Sequence, residues 1–262
     1  MGFEIIDFHT HPFIKGENNI CCFDTVHEKM DLDYTREYFR HFKISTICGS
    51  VLSLDANCSL KGWEKCKADN RTALEIRDKH YGDFYIPGIH IHPDYIDESI
   101  EELRYMKTQN VRLIGELLPE CYEWENYDED GFNPILDEAA KLGYICNFHC
   151  YNDDAMDKMV ANHPDMIFVG AHPGFYQDVT RQIERAQKYD NYYLDISGYG
   201  TPNQGALRTM IDKMGIDRLL FGSDYPTCTL GAYVGALEFD PLLSDKEKEQ
   251  IFSLNAKRIL GL

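Results

Sequence analysis

Short apolar runs alternate along this chain with longer stretches in which apolar residues recur every three or four positions. The short runs are nearly continuous in apolar residues, a pattern typical of parallel strands that are covered on both faces. They predict strands over residues 3–9, 45–52, 84–91, 112–118, 144–150, 166–172, 192–197 and 218–224. The longer amphipathic stretches predict helices over residues 33–42, 63–81, 95–108, 134–142, 154–161, 179–189, 205–214 and 245–260.

The strict alternation of strand and helix defines the expected architecture. Eight strand–helix units in 262 residues match a single (β/α)8 TIM barrel, so the predicted fold class is α/β. A glycine-rich dinucleotide fingerprint does not follow the first strand, and no P-loop is present, which disfavours a nucleotide-binding open sheet. Because no linker or composition break divides the sequence, we expect one domain over residues 1–262.

Four long irregular stretches are predicted, over residues 12–32, 53–62, 119–132 and 225–243. They follow strands 1, 2, 4 and 8, which places them at the end of a barrel where active sites are built. Enlarged loops at that end are typical of a lid or of substrate specificity. Tyr122, Trp124 and Tyr127 in the third stretch either present an aromatic surface over the site or pack the loop itself.

Composition narrows the classes of partner. The formal net charge of −18, with dispersed basic residues, disfavours nucleic acid, and no apolar run is long enough to span a membrane. The nine cysteines form no C-x-x-C pair and are expected to be mostly small buried hydrophobes in a reducing compartment. Because a motif begins at His9, we expect no signal peptide and a cytoplasmic protein. Homo-oligomerisation is compatible with the fold, although no segment indicates it.

Polar side chains at the predicted strand ends carry the candidate chemistry. Asp7, His9 and His11 alternate along the first strand and therefore project to one face. Two imidazoles at this spacing can hold a divalent metal ion, although an isolated pair is more often incidental. Later strand ends add further polar residues, which are His90, His92, Glu116, Asn147, His149, His172, Asp195 and Asp224.

Each of these residues also has a structural explanation when taken alone. His149 or His172 could be a buried histidine with satisfied hydrogen bonds, and Asp224 could cap a loop. Burying several imidazoles and carboxylates in one barrel mouth is costly without a cation, however. A metal ion explains the whole set together, and we therefore predict a metal site at the C-terminal ends of the strands.

The arrangement of these residues resembles the amidohydrolase superfamily, and within it the amidohydrolase-related branch called family 2. The resemblance covers essentially the whole chain. It implies a TIM barrel with one or two divalent ions, Zn²⁺ in the first place and Mn²⁺ as the alternative. By position, it implies metal ligation by His9, His11, Glu116, His149, His172 and Asp224.

The resemblance also implies catalytic roles. Asp224 would accept the proton of the attacking water, and His172 would orient that water or ligate a second ion. The best-known members with two metals have a lysine on strand 4, whereas this chain has Glu116, so the number of ions stays open. We interpret His92 as a substrate-binding residue and His90 as structural. Asp7 and Asp195 could accept hydrogen bonds from ligand imidazoles or be structural.

The leading functional hypothesis is metal-dependent hydrolysis of an amide, ester or lactone bond in a small molecule, by metal-activated water. The alternative is metal-dependent decarboxylation of an aromatic or unsaturated carboxylic acid on the same scaffold. A decarboxylase would favour a basic group for the substrate carboxylate, for which Arg181 and Arg208 are the nearest candidates. A non-enzymatic descendant of the family is a third hypothesis, which the complete ligand set disfavours.

Overall fold

Eight parallel strands form one sheet that follows the order of the chain, β1 to β8, in a computed structural model. The structure describes residues 2–15, 30–53 and 58–262. The strands are Ile5–Asp7, Ile44–Ser50, Tyr85–Ile89, Leu113–Leu117, Ile145–His149, Ile167–Ala171, Tyr192–Asp195 and Leu219–Leu220. Helices surround this sheet, and the predicted (β/α)8 barrel is confirmed.

Hydrogen bonds between the first and last strand regions bring the two edges of the sheet together. The amide of Phe8 donates to the carbonyl of Phe221 at 2.8 Å, and the amide of Asp224 donates to the carbonyl of His9 at 2.9 Å. Thr10 and Tyr225 form a parallel bridge just beyond. These contacts join the segment that carries His9 to the segment that carries Asp224, which positions both for a common site.

The helices α1 to α11 lie between and after the strands. They are Leu32–His41, Gly62–Glu75, Ile96–Thr108, Pro119–Tyr122, Phe132–Leu142, Asp153–Asn162, Tyr176–Lys188, Ala206–Met214, Leu230–Glu238, Asp245–Glu249 and Asn255–Leu260. Side-chain caps begin several of them. Asp31 accepts from the amide of Tyr34, and Asn152 accepts from the amide of Ala155. Such caps satisfy amides that have no partner within the helix.

Two predicted loops contain helices, so that part of the prediction is wrong. Residues 225–243 hold α9 (Leu230–Glu238), and residues 119–132 hold the short α4 (Pro119–Tyr122). The sequence of α9 has no polar face and contains Gly231 and Gly235, which weaken both the amphipathic signal and the helix propensity. Tertiary burial of its apolar side chains stabilises it instead. The other two predicted loops lie partly outside the described residues.

The predicted helix over residues 63–81 is observed with an irregular end. It forms α2 and then continues through a wider π-helical turn over Ile76–Tyr81 and a 3-10 turn over Gly82–Phe84. The last predicted helix is interrupted in the same way, because a π-helical turn over Gln250–Leu254 separates α10 from α11.

Apolar residues fill the barrel beneath the polar strand ends. Ile145, Val169 and Tyr193 belong to one buried cluster and precede the polar or loop residues at the end of their strands. This layer separates the polar mouth from the other end of the barrel. None of the described helices is long and apolar enough to span a bilayer.

Candidate metal centre

Four side chains from three strand ends bring their donor atoms to one point in the barrel mouth. Nε2 of His9 lies 3.2 Å from Nε2 of His11, and each nitrogen lies 3.3 Å from Oε2 of Glu116. Oδ1 of Asp224 completes the group at 3.7 Å from His9 and 3.5 Å from His11. Thus the structure brings these four predicted site residues together in a buried position.

The spacing of these atoms fits a bound divalent ion. Donors placed tetrahedrally around an ion at about 2.0–2.1 Å are separated by roughly 3.3 Å. The five separations that involve Nε2 of His9 or His11, 3.2 to 3.7 Å, lie close to that value. Nitrogen and carboxylate oxygen donors are the ligands that Zn²⁺ and related ions accept in proteins. The residues present therefore fit the group that the sequence predicts.

Hydrogen bonds on the far side of the imidazoles determine which nitrogen is free to ligate. Nδ1 of His9 donates to Oδ2 of Asp195 at 2.9 Å, and Nδ1 of His11 donates to the carbonyl of Ser50 at 3.0 Å. A neutral imidazole that donates through Nδ1 keeps a lone pair on Nε2. Both lone pairs therefore point to the shared space, as ligand imidazoles require.

Ser197 and Asn147 belong to the support of this centre, and sequence reasoning missed both roles. Oγ of Ser197 donates to Oδ1 of Asp195. This hydroxyl oxygen also lies 3.0 Å from Nδ1 of His172. The Asn147 amide nitrogen donates to Oδ2 of Asp195 at 3.1 Å. Asp195 is thus fixed from several sides while it accepts from His9. The available signal was position, because Ser197 ends its predicted strand and Asn147 lies two residues before His149 on the same face of the strand.

The second oxygen of Glu116 faces a second pair of histidines. Oε1 of Glu116 lies 2.8 Å from Nδ1 of His149 and 3.5 Å from Nε2 of His172. These three residues form a further group that could hold a metal ion, next to the group of His9, His11 and Glu116. Glu116 therefore lies between two sets of donors, which is the position of a bridging carboxylate.

A third set of donors, His9, His172 and Asp195, also lies within ligand distance. Its atoms are already joined by hydrogen bonds through Ser197 and from Nδ1 of His9 to Asp195. We therefore assign this set to the orientation of His9 and His172.

Charge in the mouth is balanced between carboxylates and imidazoles. Burial lowers the pKa of His9, but Asp195 and Glu116 outweigh burial and raise that pKa well above its usual range. Burial raises the pKa of Glu116, but His9 and His149 hold it well below its usual value. The carboxylates therefore stabilise positive charge among the imidazoles, and a divalent cation satisfies the same demand.

Backbone conformation at two site residues is unusual. His172 has φ of 67° and Asp224 has φ of 59°, both in the left-handed region that residues with a side chain seldom adopt. Strained positions of this kind cluster at functional sites. Close packing adds a constraint, because a Cβ at Gly198 would lie 2.1 Å from Nδ1 of His172. Glycine at residue 198 is therefore required for the observed position of His172.

The remaining predicted site residue, His92, lies among backbone groups. Its Nε2 donates to the carbonyl of Tyr122 at 2.8 Å, and its Nδ1 accepts from the amide of Asp94 at 3.2 Å. His90 donates through Nε2 to the carbonyl of Val51 at 2.8 Å. The predicted substrate-binding role of His92 stays a prediction, and the contacts of both rings are those of structural histidines.

Asp7 connects the first and last strands beneath the centre. Its Oδ1 accepts from the amide of Ser223 at 2.9 Å and from the amide of His9 at 3.3 Å. Its Oδ2 is buried and has no hydrogen-bond partner among the described residues. Burial raises the pKa of Asp7 to about 7, against the hydrogen bonds from Ser223. These contacts tie Asp7 to His9 on one segment and to Ser223 on the other, which fits a positioning role.

The aromatic residues of the third predicted loop pack that loop. Tyr122, Trp124 and Tyr127 are buried and belong to the core cluster. The Tyr127 hydroxyl donates to the carbonyls of Leu117 and His149, which ties the loop to β4 and β5. Of the two interpretations of these residues, packing is observed and an aromatic surface over the site is not.

Comparison with known proteins was made with both the sequence and the fold. The amidohydrolase family model matches residues 6–262, which is nearly the whole chain. The chain belongs to the amidohydrolase family. Its members are enzymes, and the clusters of histidine and carboxylate donors support a divalent metal in this amidohydrolase. No curated protein is similar enough in sequence to count as a match.

Solved structures share the amidohydrolase fold over their full length. A 2,6-dihydroxybenzoate decarboxylase from Rhizobium is 15% identical with a TM-score of 0.75, covering 100% of this chain and 99% of the other. A 5-carboxyvanillate decarboxylase from Novosphingobium aromaticivorans, complexed with manganese and a nitrobenzoic acid, is 14% identical with a TM-score of 0.71, covering 100% and 97%. A probable 2-pyrone-4,6-dicarboxylic acid hydrolase from Acinetobacter baumannii is 14% identical with a TM-score of 0.67, covering 98% and 99%. At these identities the likeness shows the fold alone.

Proposed function

We propose that this amidohydrolase is a metal-dependent hydrolase of a small molecule with an amide, ester or lactone bond. The observation that supports this proposal is the convergence of lone pairs from His9 and His11 with carboxylate oxygens of Glu116 and Asp224. These donors would hold a divalent ion. A bound ion would polarise a carbonyl oxygen and lower the pKa of water toward ~7.

Asp224 is the residue best placed to transfer a proton. Its Oδ1 faces His9 and His11, and its Oδ2 accepts a hydrogen bond from the thiol of Cys228 at 3.6 Å. The carboxylate would take a proton from the attacking water and return it to the leaving group. The thiol of Cys228 holds the second oxygen and thereby fixes the plane of the carboxylate.

His172 is suited to orient the nucleophile or to stabilise developing negative charge. Its Nδ1 lies 3.0 Å from Oγ of Ser197, and the hydroxyl proton of Ser197 is donated to Asp195. Nδ1 of His172 is then the donor of this hydrogen bond, which leaves Nε2 as an acceptor or ligand facing Glu116. In its protonated form the same ring would donate to an oxyanion.

The donor atoms of the centre offer two adjacent positions for an ion. His9, His11, Asp224 and one oxygen of Glu116 suffice for one ion, and His149 and His172 with the other oxygen offer a second position. The donors suit Zn²⁺ or Mn²⁺. Elemental analysis of the purified protein gives both the metal and its stoichiometry.

Decarboxylation of an aromatic or unsaturated carboxylic acid is the second candidate. It is supported by the names of the Rhizobium and Novosphingobium proteins that share the fold. The two candidate basic groups give it no support. Arg181 contacts Glu184 at 3.1 Å, and Arg208 contacts Glu247 at 2.7 Å.

One experiment distinguishes the two reactions. The protein, loaded with Zn²⁺ or Mn²⁺, is assayed with a panel of lactones, esters and amides and with a panel of hydroxybenzoates. Hydrolysis predicts release of acid, alcohol or amine, which an Asp224→Asn variant loses by at least ~100-fold because its side chain cannot take the proton. Release of carbon dioxide from the hydroxybenzoates, without hydrolysis, would replace the first proposal by the second.

A further inference from the structure

A cavity of about 240 Å³ opens from the metal centre to the surface between the loops that follow β5, β6 and β7. His149 and His172 form its inner end. Its outer part includes the rings of Tyr151, Phe175 and Tyr199 and the carboxylate of Asp178. Metal binding and proton transfer involve residues at the inner end, whereas the outer part takes no part in either.

The rings along this cavity form a continuous row from the metal centre outward. The centroids of His149 and His172 are 4.9 Å apart, those of His172 and Tyr199 are 6.4 Å apart, and those of Tyr199 and Phe175 are 6.0 Å apart. Phe175 and Tyr199 are 65% and 67% exposed, so their faces are accessible although they adjoin a buried centre. Exposed aromatic faces beside a reactive group are typical of a platform for a planar ligand.

The charges around the cavity are unfavourable for an anion. Residues 118–131, 150–152, 172–175, 196–205 and 221–229, which follow the last five strands, contain no lysine or arginine. Arg185, which contacts the lining residue Asp153 at 2.7 Å, is buried and also contacts Asp157 at 2.6 Å. Asp178 adds a carboxylate at the exposed end of the cavity. None of the described residues that line the cavity is a lysine or an arginine, so in a chain of net charge −18 its outer part presents Asp178 and no basic side chain to a ligand.

We propose that the part of the substrate distant from the reacting bond is a planar ring without negative charge, which stacks on Tyr199 and Phe175. This inference rests on the proposed function, because it assigns the substrate class of the same site. A neutral ring would bind by stacking on the two aromatic side chains. A positively charged ring would bind more tightly, because it is also attracted by the aromatic faces and by Asp178. We expect Asp178 to repel a distal ring that itself carries negative charge.

The direct test compares three small probes of similar shape with the zinc-loaded protein, by calorimetry at low ionic strength. The probes are benzyltrimethylammonium, benzyl alcohol and benzenesulfonate. We expect the cation to bind at least as tightly as the alcohol, and the sulfonate to bind about 10-fold more weakly or not at all. Equal or tighter binding of the sulfonate would overturn the proposal.

Variants assign the binding to the row of rings. Tyr199→Ala is expected to weaken binding of the cation about 10-fold, whereas Tyr199→Phe keeps the ring and the affinity. Tyr176→Ala is the matched control, because Tyr176 is 86% exposed beside Phe175 and does not line this cavity. Loss of binding in the Tyr176 variant but not in the Tyr199 variant would contradict the assignment.

The contribution of charge is tested at Asp178. Its Oδ2 accepts from the amide of Phe175 at 2.8 Å, and Asp178→Asn keeps an oxygen for that bond while it removes the charge. We expect the preference for the cation over the alcohol to fall about twofold, since the carboxylate is exposed. An unchanged preference would remove Asp178 from the proposal.

Two further measurements separate this inference from the proposed function. Metal content is determined on the same samples. If the protein holds zinc but binds the three probes equally, only the proposal that a ring stacks on Tyr199 and Phe175 is contradicted. A protein that discriminates among them but binds no metal contradicts the hydrolase. A third outcome is that the exposed rings form an interface between copies of the chain. Light scattering of the wild type and of Phe175→Ala tests this: a change of oligomeric state in the variant, with no probe bound by the wild type, would assign the rings to such an interface and overturn the proposal.

Discussion

Two segments of this chain have the same local sequence, and the structure gives them different chemistry. His9 and His11 are separated by one residue and followed by Pro12, and His90 and His92 are separated by one residue and followed by Pro93. Both pairs follow a barrel strand and are buried to the same degree. Burial and local sequence therefore do not distinguish a ligand pair from a structural pair.

The difference lies in what faces each ring across the barrel. His9 and His11 meet carboxylates of Glu116 and Asp224, so their lone pairs share a space with negative charge. His90 and His92 donate instead to the backbone carbonyls of Val51 and Tyr122. These two rings therefore have their Nε2 atoms engaged by carbonyls, whereas the Nε2 atoms of His9 and His11 lie 3.2 Å apart beside two carboxylates.

The direction of the pKa shifts follows from the same partners. Burial lowers the pKa of every one of these imidazoles, because it disfavours the charged form. At His9 and His11 the carboxylates reverse this effect and raise the pKa. At His90 burial prevails and lowers the pKa to about 3, and the pKa of His92 is also lowered. The first pair therefore lies where a cation is stable, and the second where it is not.

The largest expected effect is on metal content, which a substitution in the pair His9 and His11 should reduce and a substitution in the pair His90 and His92 should not. His11→Ala removes one proposed ligand and is expected to lower metal affinity by more than ~100-fold, since losing even an outer-shell partner costs 10–100-fold. His90→Gln, which keeps a donor toward Val51, is expected to retain the metal. Elemental analysis after dialysis measures both. Similar metal loss in the two variants would show that the comparison is wrong.

The next effect concerns the partner that orients His9. Asp195→Asn keeps the shape of the side chain but weakens the acceptor for Nδ1 of His9, and metal affinity should fall by about 10–100-fold. Asp69→Asn is a matched control, because Asp69 is another buried carboxylate whose partners are Ser53 and Tyr122. Titration against a chromophoric chelator measures each affinity. Equal losses in both variants would indicate general destabilisation.

A pH experiment tests the second pair. His90 has a pKa of about 3 when folded against about 6.5 when unfolded, so the unfolded chain binds more protons between these values. Stability is therefore complete above pH 6.5 and falls on acidification toward pH 3, by about 1.4 kcal/mol per pH unit for this group. Urea denaturation in the presence of a chelator measures the free energy of unfolding of the wild type and of His90→Gln. The difference between the two, as a function of pH, is the contribution of His90. A difference that does not change with pH would contradict the assignment.

The smallest expected effect is at His92. His92→Gln should destabilise the protein by about 1–2 kcal/mol, because the buried carbonyl of Tyr122 and the partly buried amide of Asp94 lose well-placed partners. Metal content should be unchanged. Thermal denaturation and elemental analysis of the same sample test both statements. A loss of probe or substrate binding with unchanged stability would instead support the predicted substrate-binding role of His92.

Most of the barrel could be predicted because the hydrophobic pattern repeats eight times with clear strand and helix periods. The errors fall where that pattern is weak. Helix α9 lacks a polar face, and its helical state depends on burial against the core. Strand β8 spans only Leu219–Leu220, and the amide of Phe221 just beyond it donates to the carbonyl of Ile251 outside the sheet. These are effects of tertiary packing and hydrogen bonding, and the periodicity of the sequence does not report them.

The candidate centre was predictable as a list of residues, because strand ends of a barrel meet at one face. Its support was less so. Ser197 joins Asp195 to His172, and the order of residues on strand 7 alone does not reveal a contact with strand 6. The aromatic pattern of the sequence likewise does not show that Phe175 and Tyr199 are exposed while Tyr122 and Trp124 are buried.

The sequence by itself determined the barrel and the set of histidines and carboxylates at its mouth, because both follow from the order of residues along each strand. Only the tertiary structure decided that His9 and His11 face carboxylates while His90 and His92 face carbonyls. The physical reason is that the chemistry of an imidazole depends on its partner across the barrel. That partner is distant in sequence, and folding alone brings it within hydrogen-bond distance.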